Sequence, residues 1–382
     1  MNRLWQFAVR CFLGGSLLDA IALSAHAQNS NANLRISQTA TNLLVAWPGQ
    51  ITLQSAARPE GSWQDVLEAA NPQPVSPTNG QEFFRVITRW STRANLLVAN
   101  SEMGVAELDG RIYVMGGYPA SRITSATVQV YDPASNAWHL TQPMPVALNH
   151  MMPAVANGKL YVIGGQTDDG STSFINTVLE FDPATTNWSF KAFMPTSRSS
   201  GAAAVIGDLI YVAGGRPQRG QDFAVYHTVS NTWRTLTNMP TGRNHLAAAA
   251  IDGRVYVAGG RLLAGFNSPM TAVLEVYDPT TGLWTSAASL PTPRGGVNGI
   301  AADGKFFVFG GEGPNGMFDD MDMYVPSLNR WFRLESLPVA VHGVTGAAFL
   351  DGWIHLPGGG TSTGGSSGST IHQVFRVEGI GP

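Results

Sequence analysis

One cysteine, Cys11, is all the thiol the chain has, and it sits in the first dozen residues. A disulfide framework is therefore excluded, and the protein has to be held together by its core. Charge is scarce too. Charged residues make up 13% of the chain, against roughly 25% in an average domain, and the only lysines are Lys159, Lys191 and Lys305. With a formal net charge of -3 and no basic run, a nucleic-acid partner is excluded, because a polyanionic backbone asks for clustered Lys and Arg. The apolar stretch at 12–23 is broken by Asp19. It falls short of the roughly 20 uninterrupted apolar residues that a membrane helix needs, so no stable membrane span is expected.

What the chain does have is 43 glycines and 23 prolines, a turn-rich, all-β composition. Arg3 and Arg10 precede the apolar stretch, and Ala25-His26-Ala27 follows it. This is the layout of a secretory signal peptide, residues 1–27, cleaved after Ala27, which makes the mature protein secreted or periplasmic. Cys11 leaves with the leader.

One unit recurs six times. The copy at 239–284 shows its parts: small residues at 247–250, the turn Asp252-Gly253, a strand ending in Gly259-Gly260, then Tyr277-Asp278 and Trp284. Diglycines begin at Gly116, Gly164, Gly214, Gly259, Gly310 and Gly358, and tryptophans stand at Trp90, Trp138, Trp188, Trp233, Trp284 and Trp331. Successive tryptophans are 45 to 51 residues apart, the length of one propeller blade. These residues closely resemble the kelch repeat over about 89–377. The resemblance implies a β-propeller built of four-stranded antiparallel blades, but it does not imply a ligand, because kelch propellers include adaptors, carbohydrate oxidases and sugar isomerases.

Residues 28–87 do not match the repeat. Leu43, Val45 and Trp47 alternate, Ile51 and Leu53 do so again, and Phe83-Phe84-Arg85-Val86 closes the segment. Several short strands are predicted, separated by turns such as Pro48-Gly49 and 77–80. The pattern resembles small immunoglobulin-like or fibronectin-like modules, which implies a small β-sandwich-like domain. The propeller is then 88–378, with a tail at 379–382. Its last repeat stops without a tryptophan, and the strand carrying Trp90 supplies what is missing. The expected fold is therefore all-β, a six-bladed kelch β-propeller closed by an N-terminal outer strand and preceded by the small module.

Spacing within the repeat separates scaffold from working face. The interval from Trp to the next diglycine is 26 residues in five repeats and 27 in the last, and Tyr or Phe precedes Trp by 7. From the second glycine to the Tyr or Phe, however, the interval runs 14, 16, 11, 17, 13 and 16. Insertions gathered on one face mark a binding face. Two sets of residues converge there. Tyr118, Gln166, Arg216, Arg261 and Glu312 follow the diglycines, and Glu102, His150, Ser200 and His245 enter the innermost strands, with Gly296 and Gly343 in the same place. Arg216 and Arg261, from consecutive blades, are placed to fork a carboxylate or sulfate. Arg198, Arg243 and Arg294 recur at one position and read as blade-to-blade hydrogen bonds. Asp319, Asp320 and Asp322 lack regular calcium-ligand spacing and read as a solvated turn.

No residue is assigned as catalytic, and no metal or cofactor is expected. The leading reading is a secreted, non-catalytic propeller that binds a protein or glycan partner on its variable face. The alternative is an enzyme resembling kelch-type sialic acid mutarotases, N-acetylneuraminate epimerase-like, in which Glu102, Glu312, His150 or His245 would move protons. A third reading, a copper oxidase resembling galactose oxidase, is weak, because its tyrosine-cysteine crosslink needs a cysteine that the expected mature chain lacks.

Overall fold

A computed structural model describes residues 43–47, 51–58, 61–75, 83–119, 122–170, 172–265, 267–364 and 367–381, with three short strands at Phe7–Ala8, Ser24–Ala25 and Arg35–Gln38. Cleavage after Ala27, most of the leader and the turns at Pro48-Gly49 and 77–80 lie outside the described residues. Among those residues the secondary structure is strand apart from one 3-10 turn, Pro326–Leu328. Among the described residues no helix is long and apolar enough to cross a membrane.

The chain divides into two compact units, one of Trp90–Trp331 and Leu337–Phe375, the other of Met1–Arg89, Phe332–Ser336 and Arg376–Pro382. The larger unit is a series of antiparallel meanders. The second sheet runs Met152–Ala156, Lys159–Ile163, Val178–Asp182, Asn187–Phe190, and the third, fourth and fifth repeat this order. The first sheet begins at Met103–Leu108 and gains a parallel two-residue neighbour, Val344–Thr345. The sixth is composite: Ala348–Leu350, Trp353–Pro357 and His372–Arg376 are completed by Trp90–Thr92, with Phe375 opposite Trp90. The innermost strands, one from each sheet, neighbour one another in turn, and the strand of the sixth sheet returns to that of the first.

The first hairpin of each sheet turns on two residues, as in Ile251↔Arg254 around Asp252-Gly253. Asp252 has φ +49 and Gly253 φ +73, the type I′ geometry whose twist matches that of the strands it joins. The diglycines serve contact between sheets. Gly310 has φ +63, and a Cβ there would lie 2.3 Å from the carbonyl oxygen of Val341, on the loop entering the next sheet. Only glycine lets that backbone come so near.

Aromatic and apolar side chains fill the space between sheets. Tyr113 and Val128 of the first sheet share a core with Leu160 and Phe181 of the second. The repeat tryptophans from Trp138 onward each add a directional bond: Trp138 Nε1 donates to Ala94 O at 2.8 Å, Trp233 Nε1 to Ala192 O at 2.8 Å, and Trp331 Nε1 to Ala288 O at 2.7 Å.

Arg198, Arg243 and Arg294 are fully buried and act as staples, though not as simple blade-to-blade bonds. Their guanidiniums reach the sheet they enter: Arg243 Nη2 donates to Val257 O at 3.0 Å, and Arg294 Nη2 to Val308 O at 3.1 Å. Their backbone carbonyls instead receive the diglycine of the preceding sheet, Gly215 N to Arg243 O at 3.0 Å and Gly260 N to Arg294 O at 2.9 Å. The acidic run needs a correction. Asp320 and Asp322 are buried rather than solvated, because Asp322 Oδ2 pairs with Arg294 Nη2 at 2.9 Å.

The smaller unit has two three-stranded sheets, Arg35–Gln38, Leu43–Ala46 and Gln73–Val75, and Gln64–Asp65, Thr52–Ala56 and Phe83–Ile87. Val45, Trp47, Leu53, Phe84 and Val86 form their core. Arg89 explains why later segments belong here. It pairs with Asp65 at 2.6 Å and donates to the carbonyls of Arg376 and Glu378, each at 2.9 Å. Ile380, at the expected tail, is buried.

Candidate functional site

Six residues ring one end of the larger unit, each just before an innermost strand: Glu102, His150, Ser200, His245, Gly296 and Gly343. All six have positive φ, from +52 at His150 to +66 at Gly296. Four are not glycine, so their conformation costs energy and must be held by neighbours. A chain of main-chain bonds holds it. His150 N donates to Glu102 O at 2.9 Å, Ser200 N to His150 O at 2.9 Å, His245 N to Ser200 O at 2.6 Å, and Gly296 N to His245 O at 3.0 Å.

The second set of residues joins this ring by a recurring bridge. Tyr118 pairs with Ser101, Gln166 with Asn149, Arg216 with Ser199, Arg261 with Asn244, Glu312 with Gly295, and Gly360 with His342. In every sheet, then, the residue after the diglycine bonds the residue just before the ring position. Both sets named from the sequence meet around one mouth.

Below the mouth runs a channel of 390 Å³ lined by the alanine-rich inner strands, among them Ala202, Ala204, Ala247 and Ala249. The ring itself encloses 20 Å³, room for about one water. Outside it, a groove of 630 Å³ opens between loops of the second and third sheets, lined by Phe174, Asn176, Thr196, Gln218 and Arg219.

The side chains of the mouth form one buried polar network. His150 Nε2 lies 3.0 Å from Glu102 Oε2, and His342 Nε2 lies 3.5 Å from Glu102 Oε1 and 3.5 Å from Glu312 Oε1. Arg261 Nη2 is ion-paired with Glu312 Oε1, whose other oxygen accepts from Gly364 N at 2.7 Å. This corrects the expected fork of two arginines. Consecutive blades bring Arg261 and Glu312 side by side, so the Arg261 charge is taken up inside the protein. Arg216 is half-buried; its Nη2 donates to Gln166 Oε1 at 3.2 Å and its Nε to Ser199 Oγ at 3.4 Å. It stands 6.0 Å from the ring of Phe174, which also lines the groove.

Burial raises the pKa of Glu102, but the charges and hydrogen bonds of His150 and His342 outweigh it and hold the carboxyl well below the usual range. Burial pushes His150 down against the pull of Glu102. His245 falls well below its ordinary value, through burial and then the charges of Arg261 and Arg216. Burial also lowers His342, yet the hydrogen bond and charge of Glu102 bring it out raised. Tyr118 is pushed up to about 12 by burial and then by the Glu102 charge. The mouth thus pairs a carboxylate whose pKa its histidine partners hold down with two imidazoles, His150 and His245, whose own pKa values burial lowers.

Sequence reasoning missed His342, Asn149, Asn244 and Ser199, all one residue before a ring position. A signal was present: that place reads Ser101, Asn149, Ser199, Asn244, Gly295 and His342, polar in five of six repeats.

The profile of the KLHDC2/KLHL20/DRC7 Kelch-repeats domain matches residues 88–260 and 149–359. Kelch-like protein terF of Aspergillus terreus (strain NIH 2624 / FGSC A1156) is 31% identical over 315 residues, which is 75% of this chain and 68% of terF. Kelch-like protein 25 of Xenopus laevis is 32% identical over 277 residues, 70% of this chain and 38% of that protein. F-box/kelch-repeat protein At1g67480 of Arabidopsis thaliana is 33% identical over 94 residues, 25% of each. The chain therefore spans much less than the full length of the last two. Among solved structures, YjhT aligns with a TM-score of 0.64 at 15% identity, over 75% of this chain and 98% of that one, a likeness of fold.

Proposed function

We infer that this chain, which belongs to the kelch-repeat family, is an exported six-bladed propeller, closed by its own outer strand, that binds an acidic protein or glycan ligand without chemistry. Its small N-terminal β module, sandwich-like in this reading, serves as a spacer. The observation that carries the ligand reading is Arg216. Its guanidinium is anchored by Gln166 and Ser199 and partly exposed. The nearby Arg261 charge, by contrast, is met by Glu312. A fixed guanidinium beside a groove suits a carboxylate or sulfate, which it can grip through two parallel N–H bonds. Phe174 offers an apolar wall next to that charge.

The test is a binding screen against acidic glycans, glycosaminoglycans and acidic peptides in the presence of chelator. Arg216→Ala is expected to weaken binding about 10- to 100-fold, the range of a charge-assisted hydrogen bond. Arg254→Ala is the control. Arg254 is exposed beside the Asp252-Gly253 turn at the opposite ends of the strands. Binding that survives Arg216→Ala but is lost with Arg254→Ala would reject the reading.

A second reading, sugar ring opening by proton transfer, is favoured by one observation: the Glu102–His150 pair, 3.0 Å apart, at the mouth that Arg216 borders. It requires a carboxylate and an imidazole to exchange protons with one substrate. Anomeric exchange across a panel of acidic sugars measures it, and no acceleration by the purified chain would remove it.

A further inference from the structure

The dipeptide Asn-His occurs twice at the mouth, as Asn149-His150 and Asn244-His245, each entering an innermost strand. In both, the asparagine nitrogen is committed to a main-chain carbonyl. Asn149 Nδ2 donates to Asp168 O at 2.9 Å, and Asn244 Nδ2 to Leu263 O at 3.1 Å. A carbonyl oxygen only accepts, so each amide can face one way. Its Oδ1 then meets the following histidine, 2.6 Å from His150 Nδ1 and 2.5 Å from His245 Nδ1. An amide oxygen also only accepts, so both Nδ1 atoms carry hydrogen.

In a neutral ring this tautomer leaves Nε2 as the lone-pair atom. His150 Nε2 lies 3.0 Å from Glu102 Oε2, with the two side chains 9% and 6% exposed. Two acceptors this close, away from water, repel each other unless a positive species lies between them. A proton would serve those two atoms. The site, however, gathers three: one donor atom from each of Glu102, His150 and His245 lies within 4.8 Å of the others. All three residues line the same 20 Å³ hollow. An oxygen acceptor holding the outer N–H of a ligating histidine is the usual support of a metal site, since it fixes the ring and sharpens its basicity.

We propose that Glu102, His150 and His245 form a divalent transition-metal site of the zinc class, with Asn149 and Asn244 orienting the two imidazoles. Two nitrogens and a carboxylate suit zinc, which leaves further coordination for water or a ligand. Donors on a tetrahedral zinc stand about 3.3 Å apart, so the widest pair closes by about 1.5 Å on binding. The nearby guanidiniums oppose a cation. Arg261 is offset by Glu312, and Arg216 is the partly exposed one, placed so that an anionic ligand would meet both the ion and the arginine. The sequence reading assigned no metal because the three ligands come from three different repeats, and no local spacing marks them.

The untagged chain is stripped with chelator, dialysed against zinc chloride and analysed by atomic spectrometry; one zinc per chain is expected. His245→Ala and Glu102→Gln are each expected to weaken zinc at least 100-fold. Asn244→Ala, which removes no ligand, is expected to weaken it about 10- to 100-fold. His139→Ala, on an exposed position of an outer strand, keeps it. No bound zinc, or zinc held equally well by His245→Ala and Glu102→Gln, overturns the proposal. If those variants fail to fold, Co(II) bound to the unaltered chain decides: d–d bands of a low-coordinate nitrogen-oxygen site support it, and their absence rejects it. The ligand reading is tested separately, by Arg216→Ala in chelator, so either can fail without the other.

Discussion

Arg243→Ala is expected to destabilise the protein by about 3–5 kcal/mol, the cost of leaving one member of a buried ion pair without its partner. Arg243 Nη1 meets Glu275 Oε2 at 2.5 Å, with the two side chains 0% and 2% exposed. The same guanidinium serves the carbonyls of Thr241 at 2.8 Å and Val257 at 3.0 Å. Alanine removes every one of these donors and strands a carboxylate between two sheets. The effect is read as a fall in the urea midpoint at unchanged slope. The paired replacement Arg243→Met with Glu275→Leu is expected to cost far less, because it removes both charges and keeps the volume. An exposed pair sets the scale. Arg254–Asp278, 54% and 24% exposed, is screened by water, and breaking it is expected to leave the midpoint almost unchanged, so an equally small effect of Arg243→Ala would contradict the buried-staple account.

Acid is expected to loosen the closing sheet through two histidines. His355 Nδ1 and His372 Nε2 face each other at 2.9 Å, and His372 lies edge-on to Tyr131, centroids 4.8 Å apart, and 5.4 Å from Trp138 of the first sheet. Burial, then the charge of Arg93, pushes His355 down to about 3. Burial, then the charge of His355, does the same to His372. An unfolded imidazole titrates near 6.5, so below that pH the unfolded chain takes up protons that the folded chain refuses. Stability contributed by the neutral pair is therefore complete above about pH 6.5 and is lost as pH falls toward 3. Two such groups give a slope approaching about 2.7 kcal/mol per pH unit in that window. Urea midpoints at pH 8, 6, 5 and 4 measure it, and His355→Leu with His372→Leu is expected to flatten the curve. Equal slopes in both proteins would assign acid sensitivity to carboxylates elsewhere.

The scaffold was the legible part of this sequence because repetition amplifies it. Gly310 alone says little, but six diglycines at a regular distance from six tryptophans mark the places where neighbouring backbones touch. The Asp-Gly turns and alanine runs were readable for the same reason, since one steric demand recurs at every copy. The mouth differs because its chemistry breaks the repeat. Arg261 and Glu312 occupy equivalent positions in successive copies, and their ion pair follows from which charges happen to be neighbours. His342 was hidden by its own repeat, where the ring position is Gly343 and draws no notice. Asp322 was read as exposed because an acidic run looks solvated until a buried arginine is found opposite it.

The strand that completes the last sheet is the earliest-made piece of the larger unit. Trp90 lies opposite Phe375, a separation of 285 residues (375 minus 90). At roughly 5–20 residues per second, translation takes about 15 to 60 s to cover that distance. Throughout that interval Trp90–Thr92 has no partner strand, while the intermediate meanders, whose contacts are local, already have theirs. Closure is therefore the event with the largest loop to organise, and it falls at the end of folding rather than the beginning. Any truncation that removes the final strand would leave every earlier hairpin intact and still deny the unit its seam.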